Sequence, residues 1–180
     1  TIYIIRNPLS IVASLANHNQ VSLDKAIEQM NKENYSLAKT TRKHSGQLRQ
    51  KLFSWKSHVK SWTENDDIEI QVIRYEDIFY RPLETLKKAF TFAGLDHTDD
   101  KIMDAYNKSN FSEIKQKENQ SVFNEKPPNV ASFFRKGRPD SWKEELTKSQ
   151  ANKVIKSNYE LMQTFGYITP EVLSFAGLKK

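Results

Sequence analysis

The sequence contains no cysteine, so it can form no disulfide, no thiolate metal site and no cysteine nucleophile. That fits a reducing compartment, and a cytoplasmic location is the expectation. Four histidines, His18, His44, His58 and His97, are scattered without the spacing of metal ligands, and no metal is expected. No stretch approaches the roughly 18 consecutive apolar residues of a membrane span. The basic, apolar, small-residue layout of a secretory signal is also missing. The chain therefore reads as soluble, with no membrane span.

What is present is a chain of 180 residues with 37% hydrophobic content, enough for one domain with a real core. The formal net charge is +6, unevenly spread. Residues 1–60 carry ten Lys and Arg against three acids, 61–120 carry eight against thirteen, and 121–180 carry ten against six. Two basic outer thirds suggest an anionic partner, with nucleotide, nucleic acid and acidic polysaccharide all open.

The chain opens on TIYIIRNP rather than on Met. Thr1 to Ile5 is a β-branched and aromatic run that reads as a strand buried on both faces. It has no preceding element to pair with, so the expectation is a domain truncated at its N-terminus. Asn7 and Pro8 supply an N-cap and an N1 proline for a helix from about Pro8 to Asn17. Residues 22–63 carry apolar residues at helical spacing (Leu23, Ile27, Met30, then Leu48, Leu52, Trp55, Val59, Trp62) and predict two helices broken near Ser45-Gly46. Ile68, Ile70, Val72 and Ile73 predict a second buried strand. Strand, helices and strand again imply a crossover connection in a parallel sheet covered by helices, an α/β fold. Pro82 to Gly94 has both end signals of a helix, and a short acidic helix is expected over Asp99 to Asn107. From Asn119 to Ser141 periodicity fails and Pro127, Pro128, Gly137 and Pro139 accumulate, predicting a long loop of the kind that carries function. A final helix is expected after Thr147, which serves as its N-cap.

Several residues can carry chemistry. Arg6 lies at the carboxyl end of the first strand and Ser14 two turns into the next helix, where ligands of open α/β sheets gather. An arginine there can fork onto an anion and a serine can add a hydrogen bond. Alternatively, Arg6 pairs with a carboxylate and Ser14 packs in the helix. Tyr75 ends the second strand and can stack on a base or bond its edge; otherwise it is a core aromatic. In the late loop, SFFRKGRPDSWKEELT is either a solvated basic turn or a phosphate cradle.

The order of these segments resembles that of sulfotransferases that use 3′-phosphoadenosine 5′-phosphosulfate (PAPS). IIRNPLSIVASL is similar to the family's 3′-phosphate segment, with Arg6 and Ser14. VIRYEDI and the helix RPLETLKKAFTFAGL resemble its YEDL segment, with Tyr75 near the adenine. Ser109 and Phe111 sit where the family has a small hydroxyl residue and an aromatic beside the base. FFRKG ahead of Trp142 resembles the C-terminal loop in which Arg-Lys-Gly grips the 3′-phosphate.

The resemblance covers most of the chain, the C-terminal two-thirds of such a domain. It implies a P-loop NTPase-like α/β fold with a parallel sheet covered by helices. It also implies sulfuryl transfer from PAPS to a hydroxyl- or amine-bearing acceptor, PAP as product and no metal. Arg6, Ser14, Arg135, Lys136 and Gly137 would hold the phosphate, and Tyr75, Ser109, Phe111, Phe133 and Phe134 would lie near the nucleotide. Gly137 would leave its N–H open to close approach by an oxygen.

Departures are plain. The family's Gly-Asp before the tryptophan is here Asp140-Ser141, preceded by Pro139. Neither the phosphosulfate loop nor the usual histidine or glutamate base occurs, and no motif places His18 at a sulfate. Two other readings therefore stay open. One is a nucleotide-binding remnant or part of a split protein. The other is a basic helical nucleic-acid binder built on residues 38–60, where Phe53 and Trp55 nevertheless fall at core spacing. An anionic sugar or peptide acceptor would suit the basic face of residues 22–63.

Overall fold

The computed structural model describes residues 1–37, 49–120, 132 and 134–178. Strand β1 (Ile2–Ile5) turns through Arg6 and Asn7 into helix α1 (Pro8–Asn19). The Asn7 side chain accepts a hydrogen bond from the Leu9 N–H, and Pro8 fills the first turn, where a missing N–H costs nothing. Helix α2 (Leu23–Met30) begins at its own cap, Ser22. The expected break at Ser45-Gly46 falls outside the described residues. Short antiparallel strands β2 (Ser36–Leu37) and β3 (Gln50–Lys51) flank that region. The second helix, α3 (Trp55–Thr63), starts later than the apolar spacing suggests, because Ser54 caps it and Phe53 takes a left-handed φ of 61° just ahead.

Strand β4 (Gln71–Arg74) pairs in parallel with β1, in the register Ile2 with Gln71 through Ile5 with Arg74. A parallel pair joined by helices is what the sequence pattern implies. The flush register sets Arg6 and Tyr75, the first residue past each strand, side by side. Two expectations are corrected here. The strand does not include Ile68 or Ile70, and Ile68 is exposed. Nor is β1 buried on both faces, since Ile2 and Ile4 are 40% and 55% exposed while Tyr3 and Ile5 face inward. Among the described residues β4 is its single neighbouring strand. The Tyr3 ring stacks on Trp62 at 5.8 Å, which covers one face of β1 only.

Tyr75 opens the short helix α4 (Tyr75–Tyr80), followed by α5 (Pro82–Phe92), which stops ahead of Gly94 at φ 70°. The acidic helix α6 (Asp99–Lys108) is as expected. Helix α7 (Phe111–Gln120) is not foreseen, because its polar sequence gives little apolar stripe. Then come α8 (Trp142–Glu145), α9 (Lys148–Thr164) and α10 (Pro170–Phe175). Thr147 and Gln150 form a reciprocal capping box at the start of α9, as the choice of Thr147 as cap anticipates. Helix α1 runs through the middle of the core. Its Leu9, Val12 and Ala16 meet Ile27 and Met30 of α2, Trp142 of α8 and Val154, Ile155 and Met162 of α9 in one apolar cluster. That packing fixes α1, and with it Arg6 and Ser14, against the segment that carries Arg135.

Candidate nucleotide-binding site

The two strand ends are fastened by a buried acid. Glu76 is 6% exposed and accepts hydrogen bonds from the Asn7 N–H at 2.9 Å and from the Tyr167 hydroxyl at 3.1 Å. Burial, with the negative Glu76 beside it, pushes the Tyr167 phenol well above its ordinary pKa. One carboxylate thus ties the turn after β1 to the start of α4 and to the chain beyond α9. Above this anchor the Arg6 guanidinium lies over the Tyr75 ring, 4.4 Å from its centroid. The Nε of Arg6 is buried and makes no hydrogen bond.

The Tyr75 hydroxyl reaches onward to the late loop and donates to the Gly137 carbonyl at 2.7 Å. Gly137 has φ 65°, a conformation that costs a residue with a Cβ roughly 1–2 kcal/mol. A Cβ there would also lie 2.2 Å from the Phe111 ring. Glycine is therefore required twice over, by conformation and by the aromatic packed against it. Phe111 in turn meets Phe134 edge to face, with ring centroids 6.4 Å apart.

Helix α7 holds this loop from outside. Glu118 accepts from the Phe134 N–H at 3.1 Å and from the Ser132 hydroxyl at 3.2 Å. Helix α1 holds it from within, through Asn17 to the Ser132 carbonyl at 3.2 Å and Ser10 to the Pro139 carbonyl at 2.5 Å. None of these fastenings was legible beforehand. The motif residues are the loop's own, whereas its anchors are ordinary polar residues far away in sequence.

The loop's cations meet two carboxylates presented by α8. Arg135 bonds Glu145 at 2.5 Å, Lys136 bonds Glu144 at 2.8 Å and lies 3.3 Å from Glu145, and Arg138 bonds Glu144 at 2.6 Å. The bond to Glu144 raises the Lys136 ammonium above its ordinary pKa, and the bonds from Lys136 and Arg138 lower that of Glu144. The only hint of these partners in the sequence is the acidic pair in WKEE, six residues after the basic run.

Thus the structure brings Arg6, Tyr75, Phe111, Phe134 and Gly137 into one contact chain, with Arg135 and Lys136 beside it. Ser14 is exposed on α1, one turn before Asn17. Ser109 caps the end of α6 and turns its hydroxyl back to the carbonyls of Ala105 and Tyr106, at 3.0 and 3.1 Å. Phe133 lies outside the described residues. A depression of about 580 Å³ opens beside Arg135 and Glu145, lined also by Asn17, Gln20 and Ser22. Among the described residues no group of three or more His, Asp or Glu is placed to hold a metal.

The donor set fits a phosphate-bearing nucleotide. A buried guanidinium nitrogen without an acceptor and two neighbouring cations are donors for an anion, and the aromatics offer faces to a base. A family model described as the sulfotransferase domain matches residues 1–166. The chain belongs to the sulfotransferase family. It is 31% identical over 103 residues to sulfotransferase 1C2 of Homo sapiens, a match covering 54% of this chain and 34% of that protein. Sulfotransferase 6B1 of Danio rerio is 29% identical over 105 residues, 56% of this chain and 34% of that one. The match spans about a third of the length of these curated relatives.

In three dimensions the chain is similar to mouse sulfotransferase SULT7A1, solved in complex with PAP. The TM-score is 0.65 with 23% identity, covering 98% of this chain and 62% of that one. At that identity the likeness establishes the sulfotransferase fold, an α/β architecture with a parallel sheet covered by helices.

Proposed function

We propose that the protein transfers a sulfuryl group from PAPS to a hydroxyl or amine acceptor, and that this sulfotransferase chain supplies the 3′-phosphate and adenine site. The observation that carries the reading is the junction of Arg6, Tyr75 and Gly137. It joins the strand-end arginine to the glycine of the basic loop and leaves a buried guanidinium nitrogen in want of an acceptor. A buried donor without a partner costs about 1–3 kcal/mol, which a phosphate oxygen would recover.

PAPS, when bound, supplies the activated sulfuryl group. The chain's own residues bind and orient. Arg6, Arg135 and Lys136 neutralise the 3′-phosphate, Ser14 adds a hydroxyl donor from α1, and the Gly137 N–H approaches an oxygen unhindered by a Cβ. Tyr75, Phe111 and Phe134 wall the base, and Ser109, whose hydroxyl hydrogen is directed to its own helix, has lone pairs left to accept from an amine. Each charge-assisted bond is worth roughly 1.5–3 kcal/mol, so the grip on one phosphate reaches several kcal/mol. The base that deprotonates the acceptor is not assigned to any residue of this chain.

The nucleic-acid reading loses its aromatic platform, because Trp55 and Val59 are core residues of α3 and Lys51 covers the Phe53 ring at 4.6 Å. Among the described residues no helix is long and apolar enough to cross a membrane. The test is a transfer assay with radiolabelled PAPS against a panel of phenols, alcohols, sugars and amines, run beside Arg135→Ala. Label should move to at least one acceptor class with the wild-type protein and fall by tenfold or more in the variant. Transfer that Arg135→Ala leaves untouched would remove this loop from the donor site.

A further inference from the structure

The basic loop carries its own anions. Three cations, Arg135, Lys136 and Arg138, are paired with Glu144 and Glu145, so these five groups sum to +1 rather than +3. The carboxylates are not placed there by chance rotamers of a free segment. Between Pro139 and Trp142 the chain reverses direction, with the Lys143 and Glu144 N–H groups bonded to the carbonyls of Asp140 and Ser141, each at 3.1 Å. Trp142 and Leu146 then enter the core, and Trp142 meets Phe175 edge to face at 5.0 Å. Helix α8 is therefore anchored on one side by apolar packing and turns both acids toward the cations on the other.

The two acids differ. Glu145 has a side chain only 13% exposed, and its Oε1 serves both Arg135 and Lys136. Such a contact holds the arginine in one direction. Glu144 is 56% exposed and touches only Lys136 and Arg138, through separate oxygens. It contributes nothing to the core, and water can replace it at little cost. An anion arriving at Lys136 must displace or lie against a carboxylate that already satisfies that ammonium, and like charges at such range repel.

We propose that Glu144 is an affinity-determining residue of the nucleotide site, an internal counter-anion that competes with the ligand phosphate for Lys136 and so speeds release of the bound nucleotide. The inference rests on the reading that Arg135 and Lys136 take the 3′-phosphate. The raised Lys136 and lowered Glu144 ionisations agree with a pair that is charged whenever the site is free to bind. Without the Glu144 charge these groups sum to +2, which would hold a dianion more tightly and let it go more slowly.

The test compares the wild-type protein with Glu144→Gln, which keeps the size and removes the charge. Glu171→Gln is the control, because the exposed Glu171 pairs with Lys143 at 2.6 Å, whereas the three cations pair with Glu144 and Glu145. The probes are adenosine 3′,5′-bisphosphate and adenosine 5′-monophosphate, read by calorimetry and by stopped-flow dissociation. Glu144→Gln should bind the bisphosphate about two- to fivefold more tightly, the worth of an exposed ion pair, chiefly through slower dissociation. Affinity for the monophosphate, and both affinities of Glu171→Gln, should stay at wild-type values. If the wild-type protein prefers the bisphosphate but Glu144→Gln binds it equally or more weakly, the inference is overturned and the site reading stands. If the wild-type protein shows no such preference, both are overturned.

Discussion

The Tyr75 hydroxyl donates to the Gly137 carbonyl at 2.7 Å while the face of the same ring carries the Arg6 guanidinium, 4.4 Å from its centroid. One side chain joins a strand end to a loop 62 residues later in the sequence. Tyr75→Phe keeps the ring under Arg6 and removes only the tether. Affinity for adenosine 3′,5′-bisphosphate should fall about two- to tenfold, the worth of one neutral hydrogen bond, with little change in Tm. Calorimetry beside a thermal melt checks both, and an unchanged affinity would show that the loop needs no such tether.

Gly137→Ala meets two obstacles, the left-handed φ and the Phe111 ring. The loop must shift, and bisphosphate affinity should drop by more than about tenfold, since the conformational cost alone is roughly 1–2 kcal/mol. Adding Phe111→Ala relieves the clash but not the conformation, so the double variant should bind better than Gly137→Ala and worse than Phe111→Ala. Equal affinities for Gly137→Ala and the double variant would mean that the ring does not restrain the glycine.

Glu76 supports the site without facing a ligand. Glu76→Ala leaves the Asn7 N–H and the Tyr167 hydroxyl buried without acceptors, at a cost of about 2–6 kcal/mol in all. Urea denaturation should show that loss with an unchanged m-value. Stability within about 0.5 kcal/mol of wild type would show that water or another group replaces the carboxylate.

His58 gives the fold a pH dependence. It lies beside Tyr3, with ring centroids 6.1 Å apart, and burial lowers its pKa from the ordinary 6.5. Below that value the unfolded chain takes up the proton before the folded one does, so the unfolded state gains. This contribution to stability is therefore complete above the ordinary value and is lost as pH falls from it toward the lowered folded pKa. Urea midpoints measured from about pH 7.5 down to about pH 5 should fall less steeply for His58→Gln than for wild type. Parallel curves would contradict the assignment.

Much of this architecture can be read from residue order. Asn7-Pro8, Pro82 with Gly94, and Thr147 with Gln150 mark helix ends through local chemistry, and local chemistry survives folding. The two strands of the parallel pair were legible for the same reason, as β-branched runs. Their register was not, yet it is what sets Arg6 beside Tyr75. Helix α7 was missed because a polar helix held by Glu118 to loop atoms shows no apolar period. α10 was missed because six residues after Pro170 are too few for a period to show. Arg135, Lys136 and Gly137 stood out as a motif, whereas Glu144 and Glu145 look like any exposed acids until α8 turns them onto the cations. Ser109 was matched by residue type and place in the order, and what the sequence does not show is that its hydroxyl turns to the carbonyls of its own helix.

The most direct test is a calorimetric titration of the protein with adenosine 3′,5′-bisphosphate, with adenosine 5′-monophosphate as the control and Arg135→Ala beside the wild type. The account requires the bisphosphate to bind at least about tenfold more tightly than the monophosphate, and that margin to collapse in Arg135→Ala while the melting temperature stays near wild type. Equal affinities for the two nucleotides in the folded wild-type protein would contradict the 3′-phosphate site.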